Sequence, residues 1–383
     1  MTRRTKIQGT SLPWWEEVLR GQRQGILAES MRQAARLGSW GYRIGVRGRE
    51  AAYEKGLLRV RRLPRPTVCV GNITVGGTGK TPLVMRLAAD LLAQGCRPAV
   101  LLRGYKRVQK TARPVLVRSP KSIFANVQEA GDEAMELAQR LPGACIGVGA
   151  DRYAAGSMIL KQFPVDCFIM DDGFQHYQLH RDLNIVTLDV TDPWGGGRLL
   201  PAGLLRESPE ALKRADIVIL TRTGSVAPDR LSVLRAEVSS LVRDSGSVLE
   251  SRHEPRCLMS LADAKEIPLS RLKGKQILVV SGIANPQAFE SGLEGLGAEI
   301  TGRFRVRDHG GRPGEVWKWV SRHQWQGQWV VMTEKDAVRW AGESTSRDLL
   351  AHAFALRMEL VVSSGRDIWQ NMIKQLAATV PLG

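Results

Sequence analysis

Apolar residues cluster in short runs along most of this chain, and longer amphipathic stretches separate the runs. The runs predict a first series of strands at 66–73, 98–103, 145–149, 166–171, 183–189 and 216–222. They predict a second series at 276–281, 299–305, 328–333 and 353–362, followed by a helix at 366–377. Because helical spacing fills the gaps between the strands, the pattern indicates βαβ units and a largely parallel sheet with helices on both faces.

The N-terminal residues follow a helical pattern instead. Apolar side chains between residues 12 and 45 recur at helical spacing, which predicts one or two amphipathic helices. Trp40 and Tyr42 stand beside Arg43 and Arg47, and aromatic rings next to guanidinium groups are typical of helices at a membrane surface. A helix packed on the domain would show the same pattern, so both interpretations stay open.

Composition narrows the class of protein. The chain has 383 residues, 43% of them hydrophobic, which is enough for a substantial buried core. Its five cysteines are scattered and form no C-x-x-C pair, which favours core packing in a reducing compartment over disulfides or zinc. No apolar run is long enough to predict a membrane-spanning helix. The net charge of +17 favours anionic partners, such as nucleic acid, an anionic membrane or phosphorylated substrates, and a solvated basic surface is the alternative.

The most specific motif is a glycine-rich turn that follows the first predicted strand and ends in Gly-Lys-Thr, with a helix predicted at 82–93. This is the order of a phosphate-binding loop, G-x-x-x-x-G-K-[ST], with Thr74 in place of the first glycine. The predicted nucleotide-binding residues are Thr74, Val75, Gly76, Gly77, Thr78, Gly79, Lys80 and Thr81. We expect Lys80 to contact the β- and γ-phosphates of ATP and the Thr81 hydroxyl to hold Mg²⁺.

Three further groups of polar residues are candidates for chemistry. Asp171 and Asp172 end an apolar strand, where a carboxylate orders the Mg²⁺ shell in phosphate-loop enzymes; the sequence does not say which one contacts the metal. Asp132 precedes a predicted helix, so taken alone it is as readily a helix cap as a functional residue. The pair Asp308 and His309 could activate a hydroxyl near a transferred phosphoryl group.

Taken together, these motifs resemble those of the tetraacyldisaccharide 4′-kinase family, the lipid A kinases of Gram-negative bacteria. The resemblance runs from about Trp40 to about Asp336. It is carried by the glycine-rich loop and by shorter motifs in the same order, at 103–105, 129–133, 151–153, 171–176, 180–184, 200–207, 281–286, 308–309 and 333–336.

The resemblance implies an ATP- and Mg²⁺-dependent kinase that phosphorylates the 4′-hydroxyl of tetraacyldisaccharide 1-phosphate, the precursor of lipid A. It implies a peripheral or monotopic protein on the cytoplasmic face of the inner membrane, attracted to that anionic surface. It also implies Asp132 as the catalytic base with His309 as its partner, beside Lys80. Arg152 and His176 match active-site positions of the family, without assigned roles.

The implied fold is an α/β protein, with a phosphate-loop NTPase-like domain of largely parallel sheet and a smaller C-terminal α/β domain. Residues 1–60 are predicted as a basic amphipathic segment for membrane association, and residues 61–222 as the phosphate-loop kinase domain. Residues 223–274 show weak periodicity and are predicted as a connector, and residues 275–383 form the smaller domain.

Two other functions share some of these features. A nucleic-acid-dependent ATPase would share the loop and the basic charge, but the basic runs lack interleaved aromatic residues, so we do not expect nucleic acid as a partner. A membrane protein that binds ATP only as a switch would share the loop and the N-terminal segment. The substitution Asp132→Asn distinguishes the switch from the enzyme, since only the enzyme would lose turnover while still binding nucleotide.

Overall fold

The computed structural model describes Val18 and residues 23–105, 107, 113–244, 247–283, 286–306, 313–323, 327–340 and 347–378. The chain divides into two units. The first comprises Met1–Leu58, Ile73–Gly76 and Asp192–Ala211. The second comprises Arg59–Asn72, Gly77–Thr191 and Leu212–Gly383.

The first unit is built on one long helix, α1 (Ile26–Glu54). One face of α1 packs on the other segments of the unit through small and hydroxyl-bearing residues. The Ser39 hydroxyl donates to the Leu199 carbonyl at 2.8 Å, and the Tyr42 hydroxyl donates to the Arg206 carbonyl at 3.0 Å. The helix predicted at 12–45 is therefore confirmed from residue 26 onward and continues to residue 54, whereas residues 11–17 and 19–22 lie outside the described residues.

A different face of α1 leaves large apolar side chains in solvent. The apolar side chains of α1 that are more than half exposed are Ile26, Leu27, Leu37, Trp40 and Ile44. At about 100° per residue, all of these except Leu27 fall in one sector of the helix, and the exposed Arg36, Arg43 and Arg47 fall in the sector beside it. Within the described residues, no helix combines the length and the apolar character that crossing a membrane requires.

The second unit contains a mixed sheet and the helices that cover it. Its described strands are β1 (Thr67–Gly71), β2 (Pro98–Leu102), β3 (Val115–Arg118), β4 (Cys145–Val148), β5 (Cys167–Asp171), β6 (Leu183–Asp189), β7 (Ile217–Thr221), β8 (Val248–Ser260), β9 (Glu266–Ile267), β10 (Gln276–Ser281), β11 (Glu299–Arg305), β12 (Trp329–Thr333) and β13 (Ala353–Ser364). Its described α-helices are α2 (Lys80–Ala93), α3 (Val127–Ala130), α4 (Asp132–Arg140), α5 (Arg152–Leu160), α6 (Pro228–Leu241), α7 (Pro286–Gly295), α8 (Pro313–His323), α9 (Glu334–Trp340), α10 (Arg347–Ala351) and α11 (Arg366–Ala378). Short 3₁₀ helices lie along the described chain at Gly195–Gly197, Pro209–Arg214, Thr223–Ser225 and Leu269–Leu272.

The strands form one sheet in the order β11-β10-β12-β13-β8-β7-β6-β1-β5-β2-β4-β3, with β9 on β8. Neighbouring strands are parallel except at β13/β8, β4/β3 and β8/β9. β7 pairs with Val248–Glu250 at the start of β8, and β12 pairs with Ala353–Leu356 at the start of β13. The middle of the β8/β13 pair is therefore a two-stranded ribbon that joins two parallel halves running in opposite directions.

Each half of the sheet has its own apolar packing. One large cluster of buried side chains surrounds α2 and α4 in the half that contains β1. Two smaller clusters surround the strands of the half that contains β10. The helices on each half thus bury apolar faces against a largely parallel sheet, as βαβ units require.

The fold class predicted from the sequence is confirmed, since the structure is an α/β protein with a mostly parallel sheet. Every strand predicted from the apolar runs is present, with ends that differ by two residues or less. Three strands were not predicted, namely β3, β8 and β9. The domain boundaries stay a prediction, and the predicted connector 223–274 contains both α6 and β8.

Candidate active site

The carboxyl ends of four neighbouring parallel strands meet at one edge of the sheet. β1 ends at Gly71, β5 at Asp171, β6 at Asp189 and β7 at Thr221. In open α/β sheets ligands bind at this edge, because loops leave the strands there and helices begin. The loop and the acidic residues that the sequence singles out therefore converge on one region of the second unit.

The loop segment of the second unit is fixed by a chain of side-chain hydrogen bonds. The Asn72 amide donates to the Thr78 hydroxyl at 3.0 Å, and that hydroxyl shares a 2.7 Å hydrogen bond with the Thr187 hydroxyl. The Thr187 hydroxyl donates in turn to the Gly71 carbonyl at 3.2 Å. Asn72, Thr78 and Thr187 are buried, so these bonds hold the loop against β1 and β6 without the help of a ligand.

Two carbonyl groups of the loop are anchored by residues at the end of β7. The Arg222 guanidinium donates to the Gly77 carbonyl at 2.8 Å, and the Thr221 hydroxyl donates to the Thr78 carbonyl at 3.0 Å. Arg222 also forms an ion pair with Asp189. Its φ of 59° is uncommon for a residue other than glycine. When the protein engages the carbonyls of such a loop, its amide groups can face an anion, so these contacts suit phosphate binding.

The loop leads directly into α2. Gly79 adopts a left-handed conformation with φ of 84°, and Lys80 is the first helical residue. A side chain at position 79 would need that strained conformation, which only glycine adopts freely. The predicted phosphate-binding segment thus ends at a helix N-terminus, where the helix dipole and unpaired amides favour an anion.

The first three residues of the predicted loop lie in the first unit. Thr74 is buried and forms an antiparallel bridge with Leu205. The Val75 amide donates to the Leu204 carbonyl at 2.7 Å. Gly76 has a φ of 122°, which again requires glycine. These residues therefore anchor the start of the loop within the first unit, and their predicted contact with nucleotide stays a prediction.

Lys80 and Thr81 each lie beside one of the two acids at the end of β5. The Lys80 Nζ is 3.5 Å from an Asp172 carboxylate oxygen, and the Thr81 hydroxyl is 3.5 Å from Asp171 Oδ2. Burial raises the pKa of the Asp171 carboxyl to about 7, and the nearby charge of Glu133 adds to the rise. The other oxygen, Asp171 Oδ1, is buried and has no hydrogen-bond partner among the described residues.

These residues fit a magnesium ion. Mg²⁺ in nucleotide-binding sites takes one or two protein oxygens together with phosphates and water. The Asp171 carboxylate, whose Oδ2 lies 3.5 Å from the Thr81 hydroxyl, supplies such a pair together with that hydroxyl. Within the described residues there is no group of three or more His, Cys, Asp or Glu side chains that could hold a metal by itself, and a phosphate-loop site does not need one.

Close packing sets the position of the acids relative to the loop. A Cβ atom at Gly71 would lie 2.5 Å from the Cβ of Phe174, so only glycine lets the chain after β5 cross the end of β1. The Gln175 amide donates to the Asn72 carbonyl at 2.9 Å. Asp172 has a φ of 50°, a conformation that costs energy for aspartate and persists where its surroundings impose it.

Arg152, at the start of α5, is the other strongly perturbed residue of this region. It is 2% exposed, and its guanidinium donates to the Ala150 carbonyl at 3.1 Å while its Nε has no partner among the described residues. Burial lowers the pKa of the guanidinium to about 10, and the charge of Arg103 adds to the effect, whereas Asp171 and Asp172 oppose it. Arg152 is therefore a buried cation close to the two acids.

Comparison with known proteins identifies the family of this chain. The model of the tetraacyldisaccharide-1-P 4′-kinase family matches residues 33–377. The chain belongs to this family. Tetraacyldisaccharide 4′-kinase from Geobacter metallireducens is 39% identical over 323 residues, which cover 84% of this chain and 91% of that protein. The corresponding protein from Geobacter sulfurreducens is 37% identical over 347 residues, covering 90% of this chain and 94% of that one.

A solved structure supports the same assignment. The crystal structure of LpxK from Aquifex aeolicus in complex with ATP superposes with a TM-score of 0.73 and is 30% identical. The match covers 90% of this chain and 99% of that one. The resemblance and the phosphate-loop α/β fold predicted from the sequence are thereby confirmed, and the chain is a kinase of the tetraacyldisaccharide-1-P 4′-kinase family.

The remaining predicted site residues are Asp132, His176 and His309, and the structure describes the first two of them. Asp132 is the first residue of α4 and is partly exposed, and its carboxylate lies 3.4 Å from the Arg339 guanidinium. His176 lies in the turn after β5, where its backbone amide donates to the Gly173 carbonyl at 2.8 Å. His309 lies outside the described residues, so its pairing with Asp132 stays a prediction.

Three polar residues near the phosphate loop and Asp132 were not predicted from the sequence. Arg222 anchors the loop, and Arg339 contacts Asp132. His253 of β8 lies beside the loop, since a Cβ atom at Gly79 would be 3.5 Å from its ring. Burial and the Arg222 charge lower the pKa of this imidazole. None of the three belongs to a motif with a fixed local spacing, so only the folded arrangement reveals the contact.

Proposed function

We propose that the protein transfers the γ-phosphoryl group of ATP to the 4′-hydroxyl of tetraacyldisaccharide 1-phosphate, a step of lipid A biosynthesis. One observation carries this proposal: in this chain, which belongs to the family, Lys80 and Thr81 lie at the start of α2, each 3.5 Å from one of the two acids at the end of β5. Positioning and charge stabilisation supply most of the rate in phosphoryl transfer, and this arrangement provides both.

The loop and the acids hold the donor nucleotide. Gly77, Thr78 and Gly79 provide backbone amides for the phosphates, and Lys80 balances their charge. Thr81 and Asp171 would hold Mg²⁺, with Asp172 beside them. The ion, when bound, draws charge away from the β- and γ-phosphates. Since Asp171 carries a raised pKa, it gives up its proton when a cation takes its place.

Asp132 is proposed as the base and His309 as its partner. The Asp132 carboxylate accepts the proton of the 4′-hydroxyl while that oxygen attacks the γ-phosphorus and ADP leaves with the bridging oxygen. Asp132 stands at the start of α4, one residue before Glu133, whose charge reaches Asp171. The charge effect of Glu133 on Asp171 supports a shared site for the proposed base and the proposed metal-binding acid. Arg152 supplies a buried positive charge to the same region, and His176 is proposed as a further active-site residue.

The N-terminal helix is proposed as the membrane contact. Leu37, Trp40 and Ile44 form an exposed apolar stripe beside a stripe of arginines, and the whole chain carries a net charge of +17. This composition suits a helix that lies in the headgroup region of an anionic membrane. We infer a peripheral or monotopic protein at the cytoplasmic face of the inner membrane, where an acylated substrate is accessible, with no role for nucleic acid.

The proposal is tested by phosphate transfer from γ-labelled ATP to tetraacyldisaccharide 1-phosphate in mixed micelles. Wild type is compared with Asp132→Asn and with Asp229→Asn, which removes a carboxylate from the first turn of α6. We expect labelled lipid from wild type and from Asp229→Asn, and a loss of at least about a hundredfold in Asp132→Asn. Nucleotide binding, measured separately, should be the same in all three proteins.

Other outcomes would favour the other functions. If wild type bound ATP but gave no lipid product, and Asp132→Asn changed nothing, a nucleotide-dependent switch would explain the site better. Severalfold stimulation of ATP hydrolysis by DNA or RNA would contradict the kinase proposal and support a nucleic-acid-dependent ATPase.

A further inference from the structure

Two helices from opposite halves of the sheet pack with ion pairs at both ends. At one end, Asp132 of α4 lies 3.4 Å from Arg339 of α9. At the other end, Arg140 of α4 lies 2.5 Å from Glu334 of α9. The start of each helix thus meets the end of the other, so α4 and α9 are antiparallel. α4 belongs to the half with the phosphate loop, and α9 follows β12 in the other half.

Arg339 is fixed on its own side by a buried carboxylate. Asp336, which is fully buried, accepts hydrogen bonds from the Gly282 amide at 2.9 Å and from the Thr333 hydroxyl at 2.8 Å. Its other oxygen lies 3.6 Å from the Arg339 guanidinium. Asp336 is thereby tied to the ends of β10 and β12, and it holds the arginine in turn.

The same guanidinium therefore contacts two carboxylates, Asp336 within its own half and Asp132 in the other. The contact between Arg339 and Asp132 spans 207 positions of the sequence. Only 12% of the Arg339 side chain is exposed, so solvent screens the interaction with Asp132 less than it screens a surface ion pair. A planar guanidinium also restricts the direction of a carboxylate more than a lysine ammonium does.

We propose that Arg339 is a positioning residue for the Asp132 base, an inference that rests on the proposed function. The carboxylate of Asp132 stands on the first residue of α4. Arg339 holds it in one direction, and Asp336 holds Arg339. The half of the sheet that contains β10 and β12 thereby orients a base on the other half, and the base is in place only while α4 and α9 are docked.

The test compares Arg339→Gln and Arg339→Lys with a matched control, Arg140→Gln, which removes the ion pair at the other end of the helix pair. We expect Arg339→Gln to lower kcat for lipid phosphorylation by roughly 10- to 100-fold, because small displacements of a reacting group cost that much. The KM for ATP and the nucleotide dissociation constant should change by less than about twofold. Arg339→Lys should recover part of kcat, and Arg140→Gln should stay within about threefold of wild type.

A double-mutant cycle with Asp132→Asn separates a positioning role from a structural one. If Arg339 acts through Asp132, then Arg339→Gln should lower the residual single-turnover rate of Asp132→Asn by less than about twofold. An equal loss in both backgrounds, or an equal loss in Arg140→Gln, would overturn the inference. If Asp132→Asn itself retained full activity, the proposed base would be wrong, and that failure would be visible before Arg339 was considered.

Discussion

Replacing Asp171 by Asn should make the metal-free protein more stable at pH 8 while removing its activity. Asp171 is 5% exposed at the end of β5, and its Oδ1 has no hydrogen-bond partner among the described residues. Burial, with the charge of Glu133, raises the pKa of its carboxyl to about 7. Without a cation, the folded protein therefore holds a carboxylate where its charge is unfavourable.

The size of this stability gain follows from the ordinary pKa of the carboxyl and its raised pKa in the folded protein. A rise from 3.8 to about 7 corresponds to about 4 kcal/mol. Because the folded state binds this proton more tightly than the unfolded state, the penalty is small below pH 4. It grows as the pH rises from about 4 to 7 and is constant above 7. The asparagine amide is itself partly desolvated, so we expect a net gain of about 2 kcal/mol at pH 8.

The assay is chemical denaturation in EDTA, without nucleotide, at pH 5 and at pH 8. Asp166 offers a matched control, because it is a buried carboxyl immediately before the same strand. Hydrogen bonds from Arg97 hold the pKa of Asp166 below its ordinary value. Its contribution to stability is fully present above about pH 4 and is lost only on further acidification, so Asp166→Asn should destabilise the protein by nearly the same amount at pH 5 and at pH 8.

The result that would refute the reasoning is specific. If Asp171→Asn were less stable than wild type at pH 8 in EDTA, the carboxylate would not be strained in the folded protein. If the stability gain were the same at pH 5 and pH 8, it would come from something other than the ionised carboxyl. Addition of Mg²⁺ and ATP should reverse the order of stability if the wild-type site binds the cation as proposed.

Two further predictions concern the loop and the membrane helix. Arg222→Gln should raise the KM for ATP about tenfold with a smaller change in kcat, because the Gly77 carbonyl loses the hydrogen bond that anchors it. Steady-state kinetics and nucleotide binding check this prediction. A loss of kcat without a change in KM would contradict it. Trp40→Asp should reduce sedimentation with anionic vesicles several-fold, whereas Val233→Asp, at another exposed apolar position, should not; equal binding by both variants would exclude the helix as the contact.

Much of the fold could be predicted because the strands of the parallel halves are buried on both faces. β1, β5 and β7 are buried along their whole length and mostly apolar, so each stands out from the polar sequence around it. β8 was missed for the opposite reason. Its central residues, Ser251 to Cys257, pair with a single strand and include charged side chains and a proline, so no apolar run marks them.

The candidate site likewise contains some residues that could be predicted from the sequence and others that could not. Lys80, Thr81 and Asp171 could be predicted because phosphate binding needs particular residues at fixed distances along the chain, or at the end of a strand. Arg222 and Arg339 could not, because each acts on a residue more than a hundred positions away. A single arginine in a loop or a helix carries no local pattern, and its role depends on which elements pack together.

One explanation accounts for both buried charges of the candidate site, the Asp171 carboxylate and the Arg152 guanidinium. Asp171 keeps an oxygen with no partner among the described residues and has a raised pKa, while Arg152 keeps an Nε with no partner and has a lowered one. In a protein built for stability alone, each would be satisfied by neighbours or replaced by an apolar residue. A site that receives a cation and a polyphosphate needs the opposite, one carboxylate and one guanidinium held ready and incompletely paired. The stability expected from Asp171→Asn and the activity lost with it are then two consequences of one arrangement, since the interaction missing from the folded protein is the one that we propose the metal and the nucleotide supply.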